Sequence, residues 1–245
     1  MPDVASFYAS MPEDYRLAFD VGSSAVREHA AVVHGRGRRP AAVALWQSDA
    51  GGIDDVVALC VVADDAPGLF AKISAALVEH SIDIVTVQAF TRRREDGSSE
   101  AVDLLWVRRA NAIAKSDVEA VGARIAAFVG GDVAFLPPRR VARAANARDA
   151  GTTRIRFEHD EASGETILTV EASDRAGLLL ALTKTIFVAR LQIVGMHAKS
   201  VRGRAVDRFS VAELDGSPVG QARRLELQSA ILAAIDTREE ERVAQ

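Results

Sequence analysis

The sequence predicts an α+β protein built from two ferredoxin-like modules of the βαββαβ type, each an antiparallel sheet with helices packed on one face. Three observations predict it. Residues 56–91 (VVALCVVADDAPGLFAKISAALVEHSIDIVTVQAFT) and 165–200 (ETILTVEASDRAGLLLALTKTIFVARLQIVGMHAKS) are versions of one another. Asp65, Gly68, Leu69, Leu77, Ile84 and Val85 fall opposite Asp174, Gly177, Leu178, Ile186, Ile193 and Val194 at a constant offset. Past a hairpin turn that is longer in the first copy, AVDLLWV at 101–107 matches AVDRFSV at 205–211. A fixed offset broken only at a turn is the mark of a duplication. Within each copy, the apolar spacing switches from strand-like to helix-like and back in the same order.

The elements follow in order. Residues 1–40 read as a helical lead-in. A strand at 41–47 precedes the first copy across the turn SDAGG, and one at 154–159 precedes the second across DEASGE. Residues 56–63 and 166–172 are short, apolar and β-rich, hence buried strands. Leu69, Ile73, Ala76 and Leu77 recur at helical spacing, as do Leu178, Leu182, Thr185 and Ile186, with helix ends near His80-Ser81 and Ala189-Arg190. Strands at 82–90 and 191–199 turn through the Gly- and charge-rich hairpins RREDGSSE and VRGR into strands at 101–108 and 205–212. Closing helices are expected near 116–129 and 220–235, the first opened by a capping box of Ser116 and Glu119. The modules thus span 41–136 and 154–236, joined by a linker at 137–153 and followed by a charged tail at 237–245.

Composition excludes several classes of function. Thirty Lys and Arg face 34 Asp and Glu, a net charge of -4 with no basic stripe, so nucleic acid is not an expected partner. The run Arg92-Arg93-Arg94 reads as a solvated face of a hairpin. Cys60 is the single cysteine and lies in an apolar run, where it reads as a small buried hydrophobe; a reducing, cytoplasmic address follows. The first residues lack a signal peptide's basic and apolar regions, and no apolar stretch approaches the roughly 18 residues a membrane span needs. His29, His34, His80, His159 and His197 are scattered. No nucleophile-base pair, metal cluster or phosphate loop is recognisable, so catalytic residues, metal and cofactor are each expected to be none.

The turn Asp65-Ala66-Pro67-Gly68-Leu69 after a buried strand, followed by a helix, an I-V strand and a hairpin into A-V-D-x-x-x-V, resembles the ACT domain. That is a small regulatory module that binds amino acids. The second copy follows with Asp174-Arg175-Ala176-Gly177-Leu178. The closer resemblance is to the paired ACT domains that end bacterial uridylyltransferase/uridylyl-removing enzymes, the glutamine sensors of nitrogen control. The lead-in Met11-Pro12-Glu13-Asp14-Tyr15, with Phe19-Asp20 and His29, is similar to the segment before those domains, and the resemblance covers roughly residues 8–235. The catalytic domains of such enzymes do not fit in the residues ahead of the first copy. The resemblance therefore implies a non-catalytic amino-acid sensor, with glutamine the first choice of ligand and a pocket between two modules.

The chemistry of the turns supports a small zwitterion. A strand-to-helix turn offers unpaired N–H groups and the positive end of a helix dipole. Gly68 and Gly177 let a ligand approach the backbone, and Asp65 and Asp174 either cap the helix or receive an ammonium group. Ile84, Val85, Ile193 and Val194 open the next strand, where the resemblance places main-chain and apolar contacts. Ala176 replaces the motif's proline, and Asp83 and Gln192 replace its asparagine. Asp83 suits an ammonium group and repels a carboxylate, so the sites need not be equivalent, and the first turn is the better-kept half. The expected binding set is Asp65, Ala66, Pro67, Gly68, Leu69, Asp83, Ile84, Val85, Asp174, Ala176, Gly177, Leu178, Gln192, Ile193 and Val194. A homodimer and a regulated enzyme or signalling protein are the expected partners. The competing reading is a structural or interaction module that keeps this fold without a ligand.

Overall fold

The computed structural model describes residues 3–47, 56–131, 153–161, 164–175 and 177–236. Three helices come first: α1 (Val4–Ser10), α2 (Glu13–Ala18) and α3 (Ser24–Arg36). The first copy supplies β1 (Ala41–Trp46), β2 (Val56–Asp64), α4 (Leu69–Glu79), β3 (Asp83–Arg93), β4 (Ser99–Arg108) and α5 (Lys115–Gly130). The second supplies β5 (Arg154–His159), β6 (Thr166–Ser173), α6 (Leu178–Val188), β7 (Leu191–Val201), β8 (Arg204–Glu213) and α7 (Gln221–Asp236). The SDAGG turn, the linker expected at 137–153 except for Thr153, and the tail at 237–245 lie outside the described residues.

All eight strands form one antiparallel sheet in the order β1-β2-β4-β3-β7-β8-β6-β5. Each half has the four strands and two helices of a ferredoxin-like module, its outer strand supplied by the segment ahead of the repeat. The halves join where β3 pairs with β7, from Thr86↔Lys199 to Ala89↔Met196. This seam spends the inner edge of each module on the other, which removes two rows of unpaired backbone groups. Of the two outer edges, β1 and β5, the second carries Arg154, Arg156 and Glu158, charges that discourage further strand pairing.

One core runs beneath both halves. Leu59, Ile73, Leu105, Leu168, Leu182 and Phe209 are all almost fully buried between the sheet and α4–α7. Helix α4 is apolar on most sides because α5, α6 and the sheet all press on it, which suits its small residues Ala71, Ala75 and Ala76. The other face of the first half-sheet is covered by α1–α3. Tyr15, Val26, Trp46, Cys60, Phe90 and Leu104 pack there, and the Tyr15 hydroxyl lies 2.8 Å from His29 Nδ1. Cys60 is completely buried, and burial pushes its thiol well above the ordinary range.

Three local expectations need correction. Helix α5 starts at Lys115, and Asp117, not Glu119, reaches back to the Ala114 N–H at 2.8 Å while Arg109 holds it in an ion pair. The charge run is a solvated face only at Arg93, which is exposed. Arg92 and Arg94 each reach Glu100 at 2.6 Å, Arg36 from α3 reaches it at the same distance, and Glu100 is 3% exposed. The arginines are drawn inward because a single buried carboxylate needs several donors to offset its desolvation. Neither turn aspartate is a helix cap: the N-cap positions of α4 and α6 are Gly68 and Gly177, and no side chain caps either helix.

Candidate functional site

The two turns are built alike. Gly68 (φ 81°) and Gly177 (φ 78°) both sit in the left-handed region, which costs glycine nothing and other residues about 1–2 kcal/mol. Each turn closes on itself, with the Leu69 N–H donating to Ala66 O at 3.0 Å and the Leu178 N–H to Arg175 O at 3.1 Å. Because the caps are glycines, the first amides of both helices meet no capping side chain. Asp65 accepts instead from the Thr91 hydroxyl at 2.9 Å.

The strands that follow the helices each carry a bulge. The β3–β4 register slips between Ile84 and Thr86, and the β7–β8 register slips between Ile193 and Gly195. Val85 and Val194 are therefore the extra residues, released from the ladder at the positions expected to meet a ligand. The antiparallel seam then decides what they face. It pairs only the middles of β3 and β7, so the bulged start of each strand lies beside the end of the other, next to the other copy's turn.

Two pockets result, each made from both copies. In the first, Asp65, Ala66, Gly68 and Leu69 meet Ile193 and Val194. In the second, Asp174, Gly177 and Leu178 meet Asp83, Ile84 and Val85. Pro67 and Gln192 line neither, and Ala176 lies outside the described residues. The cavities differ in size, about 30 Å³ at the first turn and about 100 Å³ at the second. The turn with the more faithful motif thus has the smaller cavity.

Sequence reasoning passed over the residues that line the rest of each pocket. Asp103 of β4 and Asp207 of β8 enter the first and second pocket respectively and are almost fully buried. Both are the aspartate of the repeated A-V-D strand, a charge at a core-facing position, and that pattern was the available signal. Phe187 lines the first pocket, while Ser74 and Arg108 line the second. The Ser74 hydroxyl is buried with no hydrogen-bond partner, whereas its counterpart Thr183 donates to Leu179 O at 2.9 Å.

The electrostatics are those of buried carboxyls held at a cost. Burial raises Asp207 to about 7, with Asp174 adding to the effect. Burial also raises Asp103 well above the carboxylate range, reinforced by Asp65. Asp65 is raised by burial against the opposing Thr91 hydroxyl, and Asp83 by burial and Asp174 against the opposing Arg108. An ammonium group entering among Asp83, Asp174 and Asp207 would relieve these costs, with Arg108 and the amides of α6 left for a carboxylate. Ile84, Val85 and Leu178 supply an aliphatic wall. Neither pocket lining contains histidine, cysteine or lysine. Among the described residues no group of three or more His, Cys, Asp or Glu is placed to hold a metal ion, and no helix is long and apolar enough to cross a membrane.

Comparison with known proteins finds bacterial enzymes among the relatives. A bifunctional uridylyltransferase/uridylyl-removing enzyme of Phenylobacterium zucineum is 31% identical over 240 residues, covering 95% of this chain and 24% of that protein. The enzymes of the same name from Gluconobacter oxydans and Caulobacter vibrioides are each 28% identical, over 236 and 193 residues, covering 90% and 73% of this chain. The chain spans only a fifth to a quarter of the length of these relatives. It is homologous to a segment of them. No protein-family model matches. Among solved structures, an unknown protein from Galdieria sulphuraria aligns over 76% of this chain and 92% of its own at 18% identity, with a TM-score of 0.24 that carries no argument.

Proposed function

We propose that this chain is a regulatory amino-acid sensor of the ACT type that performs no chemistry itself, with glutamine as its ligand and nitrogen status as the signal. The observation that carries the reading is the second pocket, where an uncapped glycine turn from one copy faces a bulged strand and a buried acid cluster from both. Uridylyltransferase/uridylyl-removing enzymes as relatives support the metabolic setting. Ligand closes the seam between copies, so binding energy is spent on their relative packing, the kind of coupling a partner protein reads. The partner in this reading is a regulated enzyme or signalling protein in the cytoplasm, not nucleic acid or membrane. A homodimer belongs to the same reading; it uses β1, β5 or a helix face, because β3 and β7 already pair with each other.

Thermal unfolding against the twenty amino acids tests it. A ligand at a hundredfold above its Kd adds about 2.7 kcal/mol, a rise of roughly 5–10 °C for a chain of this size. Glutamine is expected to give the largest rise. The structural-module reading is favoured by one observation, the small volume at the first turn, and it predicts no rise with any amino acid.

A further inference from the structure

The two pockets are related by the repeat, yet their contents differ at one position in a way that decides access. A β-carbon built on Gly68 would lie 2.5 Å from Phe187 Cδ2 and 2.6 Å from Cε2, so the aromatic ring rests in the space the glycine leaves. The residue at the matching place in the first copy is Val78, which lines the second pocket and has no ring to offer. We infer that Phe187 acts as a built-in plug: the pocket at the first turn is permanently closed, and each chain binds one amino acid, at the second turn. This rests on the amino-acid reading above and adds stoichiometry and site assignment to it.

Three further features agree with that division of labour. A cavity of about 30 Å³ holds about two water molecules by the usual one-probe measure, whereas about 100 Å³ admits a small ligand. In the first pocket two of the polar groups are already occupied, Asp65 by the Thr91 hydroxyl and Thr183 by Leu179 O. In the second, the Ser74 hydroxyl is buried and has no partner, and Arg108 acts on Asp83 in a pocket that also holds Asp174 and Asp207. Gly68 and Gly177 are therefore kept for different reasons: one seats a ring, the other lets a ligand reach the backbone.

Titration calorimetry of the 245-residue chain with L-glutamine and the other amino acids measures the stoichiometry. One ligand per chain is expected for the wild type, and F187V, which copies the residue of the other pocket, is expected to bind two. D207N, an isosteric change in the second pocket, is expected to lose the wild-type site, and F187V/D207N to retain one. Far-ultraviolet circular dichroism confirms that each variant is folded; F187L replaces F187V where valine leaves too large a void. Two ligands per wild-type chain, a single site unaffected by D207N, or no second site in either Phe187 variant overturns the specialisation and leaves the amino-acid reading standing. Absence of binding to the wild type and to every variant overturns both.

Discussion

Asp207→Asn should make the ligand-free protein more stable, and the gain should depend on pH. Asp207 is 4% exposed, and burial, with Asp174 beside it, raises its carboxyl from 3.8 to about 7. A carboxyl whose folded pKa is raised holds its proton more tightly in the folded state, so folding is favoured at low pH. Stability is then lost as pH climbs from about 4 to about 7, and the loss is complete above that. At about 1.4 kcal/mol per pH unit, the gap from 3.8 to about 7 sets a ceiling of about 4 kcal/mol. Asparagine keeps the shape and removes the charge. At pH 8 the variant should therefore unfold up to roughly 8–16 °C higher than the wild type, and at pH 4 the two should nearly coincide. Calorimetric melts of both proteins at the two pH values give the answer, and the difference between them cancels every group they share. A variant equally or less stable at pH 8, or a gain that is the same at both pH values, would refute the claim that this carboxylate is held at a cost to the fold.

Other changes probe the supports of the site. Glu100→Gln strips the charge from a carboxyl that burial pushes up and that Arg94, Arg92 and Arg36 together hold below its ordinary value. Arg36, 4% exposed, then keeps only the half-exposed Asp64 at 2.9 Å as counter-ion, and the loss should be about 1–3 kcal/mol in urea denaturation. In the wild type, the stabilisation from Glu100 is present above its unfolded pKa and disappears as pH falls through the lower folded one. Gly68→Ala places a side chain at φ 81° and against Phe187, and its urea midpoint should report a loss of at least about 1–3 kcal/mol. Tyr15→Phe removes the hydroxyl 2.8 Å from His29 Nδ1 and should cost about 1–3 kcal/mol. His29 itself is pushed down to about 4 by burial, so it favours folding while neutral; its contribution should fade as pH drops from 6.5 to about 4.

The repeated elements were legible because each strand and helix buries a face of its own, and that burial writes a period into the sequence. The turns were legible too, since left-handed backbone at Gly68 and Gly177 demands the residue found there. What the sequence hides is contact between distant segments. Nothing in the residues of β3 or β7 announces that they pair with each other, yet that seam turns four separate motifs into two pockets. Phe187 reads as one more apolar position on a helix, and only the fold shows it lying on Gly68 from the other copy. Arg92 and Arg94 look like hairpin surface until Arg36, more than fifty residues away, and Glu100 converge on them. Asp103 and Asp207 fall between: the repeated A-V-D strand displays them, but their cost appears only with their burial.

The most direct measurement is a pair of amide nitrogen–proton correlation spectra of the chain, one without ligand and one saturated with L-glutamine. If the zwitterion sits across the seam, the resonances of Gly177, Leu178, Ile84 and Val85 should move furthest, while Gly68 moves little. Unchanged spectra, or shifts confined to β1, β5 or α1–α3, would contradict an inter-copy amino-acid pocket.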